Sequence, residues 1–576
     1  MSKWRWLQIQ ILECLFRCGI KEDQLFMILT VLVGAVCGLS AVFFHLLIGW
    51  IRHLVLLDAV AEHWSYFWLV PVAGGLLAGF LLIYLPETRG SGIPQVKTAF
   101  FMQYGVIPLK VTVGKIFLGA TCIGTGFSLG REGPTVQIAA GIASFFGRLF
   151  SLSRQKVRML IPVGAAAGLA AAFNTPIAGV IFTLEEVVGD INARILGSTV
   201  IAAVTASVVE HSLLGGSPIF GVSNYHMRHP GELLLYVVLG VVAGGVSLAF
   251  IKGLLWLKSH FDSHSRLRVV NPAIGGLAAG LMALLAPQIL GIGYPTVRSA
   301  LQGKLVLATL TLLLLLKFLA TVISYASGAS GGIFAPALFI GAMLGGSLAT
   351  LTEPFLPSLV PDPGAVALVG MGALFAGIIR APMTSVLIIF EMTLDYQIIL
   401  PLMISNLISY AISQRFAPVP LYDSLALQDG IHLPRHDQEH LLGQLLIEET
   451  MTRQVSTLNG DLTVSEALRM AGHTPLLGFP VVDRSGNYLG MISVRELKHQ
   501  MASGGRDARL SQVIRPIGPH AHPDQSLEIA LRKFGQYGVS RLAVLDRANP
   551  DQMLGIITVG DVMRAFGVVG NAETEA

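Results

Sequence analysis

Gly130-Arg-Glu-Gly-Pro134 interrupts an apolar stretch with two glycines, a proline and an adjacent cation and anion. Two further apolar stretches break in the same way, at Gly90-Ser-Gly-Ile-Pro94 and Gly331-Gly-Ile-Phe-Ala-Pro336. Glycine admits backbone angles closed to other residues, and proline suits the first turn of a helix. Each motif therefore predicts a helix that starts partway along an apolar segment. Such a start offers free N–H groups and about +0.5 charge. An anion in hydrocarbon faces an idealised cost of tens of kcal/mol, and helix starts can offset it without a full cation. One motif alone reads better as a packing kink. Three in one chain, two of them placed equivalently in a repeat, reverse that preference.

The repeat is legible over the first 425 residues. Pro71-Val-Ala-Gly-Gly-Leu-Leu-Ala-Gly79 matches Pro272-Ala-Ile-Gly-Gly-Leu-Ala-Ala-Gly280, and Gly90 to Val96 matches Gly291 to Val297. Pro134 falls opposite Pro336, and Gly164 to Glu185 runs parallel to Gly370 to Glu391. The offset drifts only from about 201 to 206 residues, which chance does not produce over four separate matches. Duplicated halves with Gly/Pro-broken helices point to a transporter or channel with its site between the halves.

Composition agrees with this. The 576 residues are 53% hydrophobic and 13% charged, against about 25% charged in a soluble domain. About 30 of the roughly 74 charges lie in residues 431–576, so a membrane region precedes Pro418–Pro420 and a water-facing region follows. About ten to twelve apolar segments are expected, some too broken to be simple spans. The net charge of +4 is too small to imply a nucleic-acid partner. Cys14, Cys18, Cys37 and Cys122 make no CxxC pair, and no metal site is expected. The N-terminus, with Lys3, Arg5 and two tryptophans ahead of Leu7, Ile11, Leu12 and Leu15, predicts an interfacial helix rather than a cleavable signal. Within the apolar stretches the ionisable residues are Lys115, Arg131, Glu132, Glu185, Glu186, Arg380 and Glu391. Charges at such depth are functional candidates by default. A salt bridge to Arg131 is the structural alternative for Glu132, and pairing with a basic loop is the alternative for Glu185.

Together, Gly90-Ser-Gly-Ile-Pro94, Gly130-Arg-Glu-Gly-Pro134 and Gly332-Ile-Phe-Ala-Pro336 resemble the signature motifs of the CLC family of chloride channels and chloride/proton exchangers. The resemblance spans residues 25–425. It implies an all-α polytopic fold of two inverted repeats of broken helices, a homodimer with a pathway in each subunit, and transport of chloride and protons rather than enzymatic catalysis. It also implies roles. Ser91 and Tyr422 would donate hydroxyls to a central chloride, with the backbone N–H groups of Ile333 and Phe334 completing the site. Gly90, Gly92, Pro94, Arg131, Gly133 and Pro134 would shape the pathway around them. Glu132 matches the external gating glutamate, Glu186 the internal proton-transfer glutamate typical of exchangers, and Glu185 its supporting partner. Ser91 resembles chloride-type members rather than nitrate- or fluoride-type ones. A passive CLC channel remains the alternative to an exchanger.

The last 130 residues repeat too. Asp461 to Leu468 pairs with Asp524 to Leu531, Phe479 to Asp483 with Leu542 to Asp546, and Gly490 to Glu496 with Gly555 to Asp561. Each unit reads as helix, strand, turn, strand, helix. The tail resembles a tandem CBS-domain pair, a soluble α/β module. In that resemblance Thr558 and Asp561 would hold one adenine nucleotide (ATP, ADP or AMP), while Ser493 and Glu496 make a second site doubtful; a purely structural pair is the alternative, and no cofactor is required. The expected organisation is an interfacial helix over 1–24, membrane repeats over 25–220 and 221–425, a linker over 426–445, CBS domains over 446–503 and 508–568, and a tail over 569–576. Both termini and the CBS pair are expected on the cytoplasmic side. The absence of an Asn-x-Ser/Thr sequon suits a prokaryotic inner membrane. Two rivals fail on the residues: an intramembrane metalloprotease needs an HExxH helix, and a divalent-cation transporter needs clustered acids.

Overall fold

The computed structural model describes residues 21–57, 64–190, 195–215, 220, 229–263, 269–355, 357, 362–431, 433, 445–471, 478–514 and 518–565. The expected interfacial helix over 1–24 lies outside them apart from 21–24, as do most of the expected linker and the whole of the 569–576 tail. The chain divides into two compact units, 1–433 and 434–576.

In the first half of the membrane unit the helices are α1 (Glu22–Arg52), α2 (Val70–Tyr84), α3 (Ile93–Phe101) and α4 (Leu109–Gly124). They are followed by α5 (Glu132–Leu149), α6 (Arg154–Phe173), α7 (Pro176–Phe182) and α8 (Leu196–Leu214). The second half returns the same series as α9 (Glu232–Ser263), α10 (Asn271–Ala283), α11 (Tyr294–Leu301) and α12 (Leu307–Ala326). It continues with α13 (Phe334–Thr352), α14 (Pro363–Ile379), α15 (Pro382–Thr393) and α16 (Ile399–Phe416), then adds α17 (Leu421–Gln428). Seven of the described helices are long and apolar enough to cross a membrane. α5 and α16 reach 18 residues but are less apolar, and α3, α7, α11 and α15 stop short because their own residues stop them.

The local reasons recur at matched positions. Gly92 at φ +94° and Gly293 at φ +87° turn the chain into α3 and α11, each with proline in its first turn. Asn174 and Arg380 adopt left-handed conformations that close α6 and α14, and Pro176 and Pro382 then open α7 and α15. The halves also contact each other reciprocally. A Cβ on Gly75 would stand 2.5 Å from the carbonyl oxygen of Pro272, and one on Gly276 would stand 2.2 Å from that of Pro71. When residue i of one half meets residue j of the other and the equivalents meet in return, the halves are related by a two-fold axis. Gly79 meets Val269 and Gly280 meets Trp68 in the same way, so the matched helices α2 and α10 run antiparallel and the repeats are inverted copies, joined where small residues let the backbones touch.

α6 and α13 are the most enclosed of the long helices, with 83% and 78% of their most apolar stretches buried. Helices at the rim leave Phe80, Leu213, Leu281 and Leu315 exposed. Such faces suit hydrocarbon, where helices leave no backbone group unpaired.

The second unit holds two three-stranded sheets. β1 (Leu458–Asn459) runs parallel to β2 (Gly478–Val482), which pairs antiparallel with β3 (Tyr488–Ser493). β4 (His520–Ala521), β5 (Arg541–Leu545) and β6 (Met553–Thr558) repeat the pattern, down to a register shift at the same place. Arg541 donates to the carbonyl of Gly478 at 2.8 Å, and Tyr488 N–H to that of Asp551 at 2.6 Å, joining the sheets. The lead-in turns are exchanged. Ile447 and Met451 pack in the core of the second sheet, while Leu510 packs in that of the first.

Candidate ion pathway

The three glycine motifs, far apart in sequence, meet through their backbones. Gly130 and Gly332 exchange N–H···O bonds of 2.7 Å in both directions, and Gly331 N–H donates to the Gly90 carbonyl at 3.0 Å. Gly133 fits against Ser91, since a Cβ there would lie 2.8 Å from the Ser91 carbonyl oxygen. The starts of α3, α5 and α13 therefore converge, bringing three partial positive charges to one place. Ser91 is fully buried. Its N–H donates to Tyr325 Oη at 3.4 Å, and its Oγ accepts from Ile93 N–H at 3.4 Å. Ile333 and Phe334 are fully buried at the start of α13. The Phe334 ring lies against Phe182 and Phe375, with centroids 5.1 and 4.9 Å away.

Glu132 lies at the same convergence. Its Oε1 accepts from Tyr294 Oη at 2.7 Å. Its Oε2 occupies the space over Gly130, where a Cβ would stand 2.3 Å away. The carboxylate faces backbone N–H groups at the starts of α5 and α13. Among the described residues no ion pair joins Glu132 to Arg131, which instead donates to the Ala172 carbonyl at 3.0 Å. Among the described residues Tyr294 is its one hydrogen-bond donor, Oε2 has no partner, and the charge of the adjacent Arg131 also acts on the carboxylate.

The second glutamate stands within electrostatic reach of Tyr422. α7 runs into a π-helical turn, Thr183–Val188, that carries Glu185 and Glu186. Glu186 is 6% exposed, and its Oε1 accepts from Lys97 Nζ at 2.9 Å. The same Nζ donates to Asp423 at 2.6 Å. Tyr422, next to Asp423 on α17, is wholly buried, and its hydroxyl has no hydrogen-bond partner among the described residues. It lies within electrostatic reach of Tyr325, Glu186 and Glu132. A buried donor without an acceptor is costly.

Glu185 is placed elsewhere. It accepts from the N–H groups of Met383 and Thr384 at 3.3 and 2.9 Å and from Thr384 Oγ1 at 2.7 Å, capping α15. Glu391 returns the arrangement, accepting from Ile177 and Ala178 N–H at 3.0 and 2.7 Å to cap α7. Each half caps a broken helix of the other. Lys115 and Lys317 form a similar matched pair. Lys115 Nζ binds the Thr88 and Gly90 carbonyls at 2.8 and 2.6 Å; Lys317 Nζ binds those of Ile289 and Gly291 at 2.8 and 2.6 Å.

Lys97, Asp423, Tyr294 and Lys317 escaped sequence reasoning. Tyr294 and Lys317 stand at repeat positions opposite Ile93 and Lys115, and that offset was the available signal. Lys97 lies one turn past Pro94 in a motif-led helix, and Asp423 directly follows Tyr422.

In the tail unit, Thr558 and Asp561 bind one another. Asp561 Oδ2 accepts from Thr558 N–H at 2.8 Å and from its Oγ1 at 2.7 Å, while Arg564 pairs with the other oxygen. This is the capping box of the last helix, Val559–Ala565, and Ser493 with Glu496 makes the same box before Val494–Ala502.

Broken helices that converge on the buried Ser91, within a unit of apolar helices long enough to cross a membrane, belong to the architecture of membrane ion-transport proteins. Residues 74–414 match the family model described as voltage gated chloride channel, and residues 447–503 and 511–568 each match the CBS domain model. The chain belongs to the voltage gated chloride channel (CLC) family and carries a tandem CBS pair. It is 37% identical over 348 residues to a putative ClcB-like chloride channel protein of Ralstonia nicotianae, covering 59% of this chain and 81% of that one. It is 32% identical over 420 residues to the H(+)/Cl(-) exchange transporter ClcA of Salmonella paratyphi A, covering 70% and 89%. Among solved structures, a slow cyanobacterial Cl-/H+ antiporter matches with a TM-score of 0.65 and 28% identity, over 70% of this chain and 97% of that one. A eukaryotic CLC transporter at 24% identity shares the fold over 93% of this chain and 97% of its own, with a TM-score of 0.66.

Proposed function

We propose that this protein exchanges chloride for protons across a membrane, with Glu132 as the outer, pathway-blocking carboxylate and Glu186 as the inner proton carrier. The observation that carries this reading is the seat of Glu132, whose carboxylate lies at converging helix starts, accepts from Tyr294 and, among the described residues, forms no ion pair with Arg131. Deprotonated Glu132 and chloride compete for one kind of site. Protonation discharges the carboxylate, releases it from the helix starts and opens the pathway. Chloride is coordinated from Ser91, the N–H groups of Ile333 and Phe334, and the free hydroxyl of Tyr422. Several weak donors hold an anion without trapping it. The proton is passed between Glu132 and Glu186, so neither ion moves alone. The reading extends to a homodimer in a bacterial inner membrane, with one pathway per chain, Glu186 and the CBS pair on the cytoplasmic side, and regulation through that pair.

The test is flux in liposomes. With an imposed chloride gradient and the voltage clamped by a potassium ionophore, protons are expected to move uphill against their own gradient. Chloride flux without that movement would leave the passive-channel reading in its place.

For the tail, the reciprocal bonds of Thr558 and Asp561 favour a helix cap over ribose binding. Thr558→Ala is expected to destabilise the tail by about 1 kcal/mol, read as a lower unfolding midpoint. Titration of the full chain with ATP, ADP or AMP is expected to give no heat that depends on Asp561. Heat that disappears in Asp561→Asn would restore the nucleotide reading.

A further inference from the structure

Lys97 is the one cation hydrogen-bonded to Glu186 among the described residues, and it is shared. It extends from α3, whose start carries Ser91, and is 7% exposed. Its ammonium lies 2.9 Å from Glu186 Oε1 and 2.6 Å from Asp423 Oδ1. Asp423 sits in the first turn of α17 beside Tyr422. One buried nitrogen therefore ties together the elements that carry Ser91, Glu186 and Tyr422. The other charged or titratable groups facing Glu186 are Glu185 on its own turn, Arg380 and the Tyr422 hydroxyl. Arg380 is occupied by the carbonyls of Pro418 and Ser413 at 3.0 and 2.9 Å.

Resting on the exchange reading, we infer that Lys97 is a positioning residue for proton transfer: it sets the proton affinity of Glu186, and Asp423 tunes that setting by competing for the same ammonium. One cation against two carboxylates leaves a net negative charge. Without the ammonium, Glu186 and Asp423 face each other as like charges, which favours the protonated carboxyl. Without the Asp423 charge, the ammonium serves Glu186 alone, which favours the ionised form. When Glu186 takes a proton, Lys97 is drawn to Asp423, so the charge on Glu186 is felt by the helix that holds Tyr422.

The two perturbations have opposite signs, and that is what the experiment reads. In liposomes of the full chain, proton flux is measured against the pH on the Glu186 side. Lys97→Met is expected to move the half-maximal pH upward by about one unit, tenfold in proton concentration. Asp423→Asn is expected to move it downward by a smaller amount, and Lys97→Arg to restore it. A loss of packing alone would not shift the two profiles in opposite directions. Profiles that move together, or that superimpose on the wild type, overturn the role of Lys97. Asp423 is partly exposed, so Asp423→Asn carries the test by itself if Lys97→Met fails to fold; an unmoved profile then overturns the inference. Glu186→Gln is run beside them. If the wild type moves no protons uphill, the exchange reading fails; if Glu186→Gln still moves them, Glu186 loses the carrier role; if it does not, while the Lys97 and Asp423 variants leave the profile in place, only the present inference fails.

Discussion

Glu132→Ala is expected to keep chloride moving, to stop protons and to make the chloride flux independent of pH. In the wild-type protein the carboxylate rests over Gly130 with Tyr294 on Oε1. Acidification neutralises it, weakens its hold on the helix starts and raises chloride flux; alkalinisation does the reverse. Truncation to alanine removes the competitor and the proton site in one step, while the starts of α3, α5 and α13 are built from backbone and remain. Interaction of a charge with a helix terminus is worth about 0.3–2 kcal/mol. Release of such a competitor is expected to raise chloride flux in neutral buffer by roughly twofold to thirtyfold. Proton uptake should fall to the level of empty liposomes. The comparison of chloride efflux in acidic and neutral buffer checks this directly. A variant that keeps its pH dependence would remove Glu132 from the gating role. Glu132→Gln should behave alike, since a neutral amide stands in for the protonated acid.

How this site is reached from sequence depends on how local its causes are. The breaks at Gly92, Pro94, Gly130, Pro134 and Pro336 are local chemistry, so the motifs announced where helices start before any contact was known. The meeting of those starts is not local. The Gly130–Gly332 pair bridges about 200 residues, and only the duplication hinted that the two belong together. Glu185 illustrates the limit. Its neighbour Glu186 suggested a supporting role, yet its bonds go to Met383 and Thr384, because the two-fold axis sets the end of α7 against the start of α15. Lys97 illustrates it differently. A lysine in a short amphipathic helix reads as surface, and nothing nearby in the chain says that Asp423, 326 residues on, will close over it. Lys317 went unnoticed in a leucine-rich run although its repeat partner Lys115 was singled out. Where about ten to twelve apolar segments are expected, seven of the described helices are long and apolar enough to span, and others, such as α14 and α15, meet at a left-handed cap that hydrophobic length alone does not reveal. In the tail, Thr558 and Asp561 fit a ligand pattern and a capping box with the same two residues, and the hydrogen bonds show the capping box.

Glu186→Gln is expected to separate the two ions in the opposite sense from a block: chloride flux persists and uphill proton movement is lost. The substitution is nearly isosteric, so packing of the π-helical turn against Lys97 is kept. The amide oxygen can still accept from Lys97, while the lost negative charge leaves that ammonium paired with Asp423 at 2.6 Å. No buried cation is stranded, and the fold has no reason to yield; Lys97 would be stranded only if Asp423 were also removed. Ser91, Tyr422 and the start of α13 are untouched, so the chloride barrier should change by less than about 0.7 kcal/mol, roughly threefold in rate. An amide cannot take up and release a proton in this range, so protons arriving at Glu132 have no inward partner. Simultaneous records of chloride and proton flux from one liposome preparation decide the matter. Loss of both ions together would place Glu186 on the chloride route itself, and retention of both would require another inner proton carrier. Loss of protons alone requires two pathways that share the outer glutamate and part company before the inner one, as expected when one carboxylate faces helix starts and the other faces a lysine.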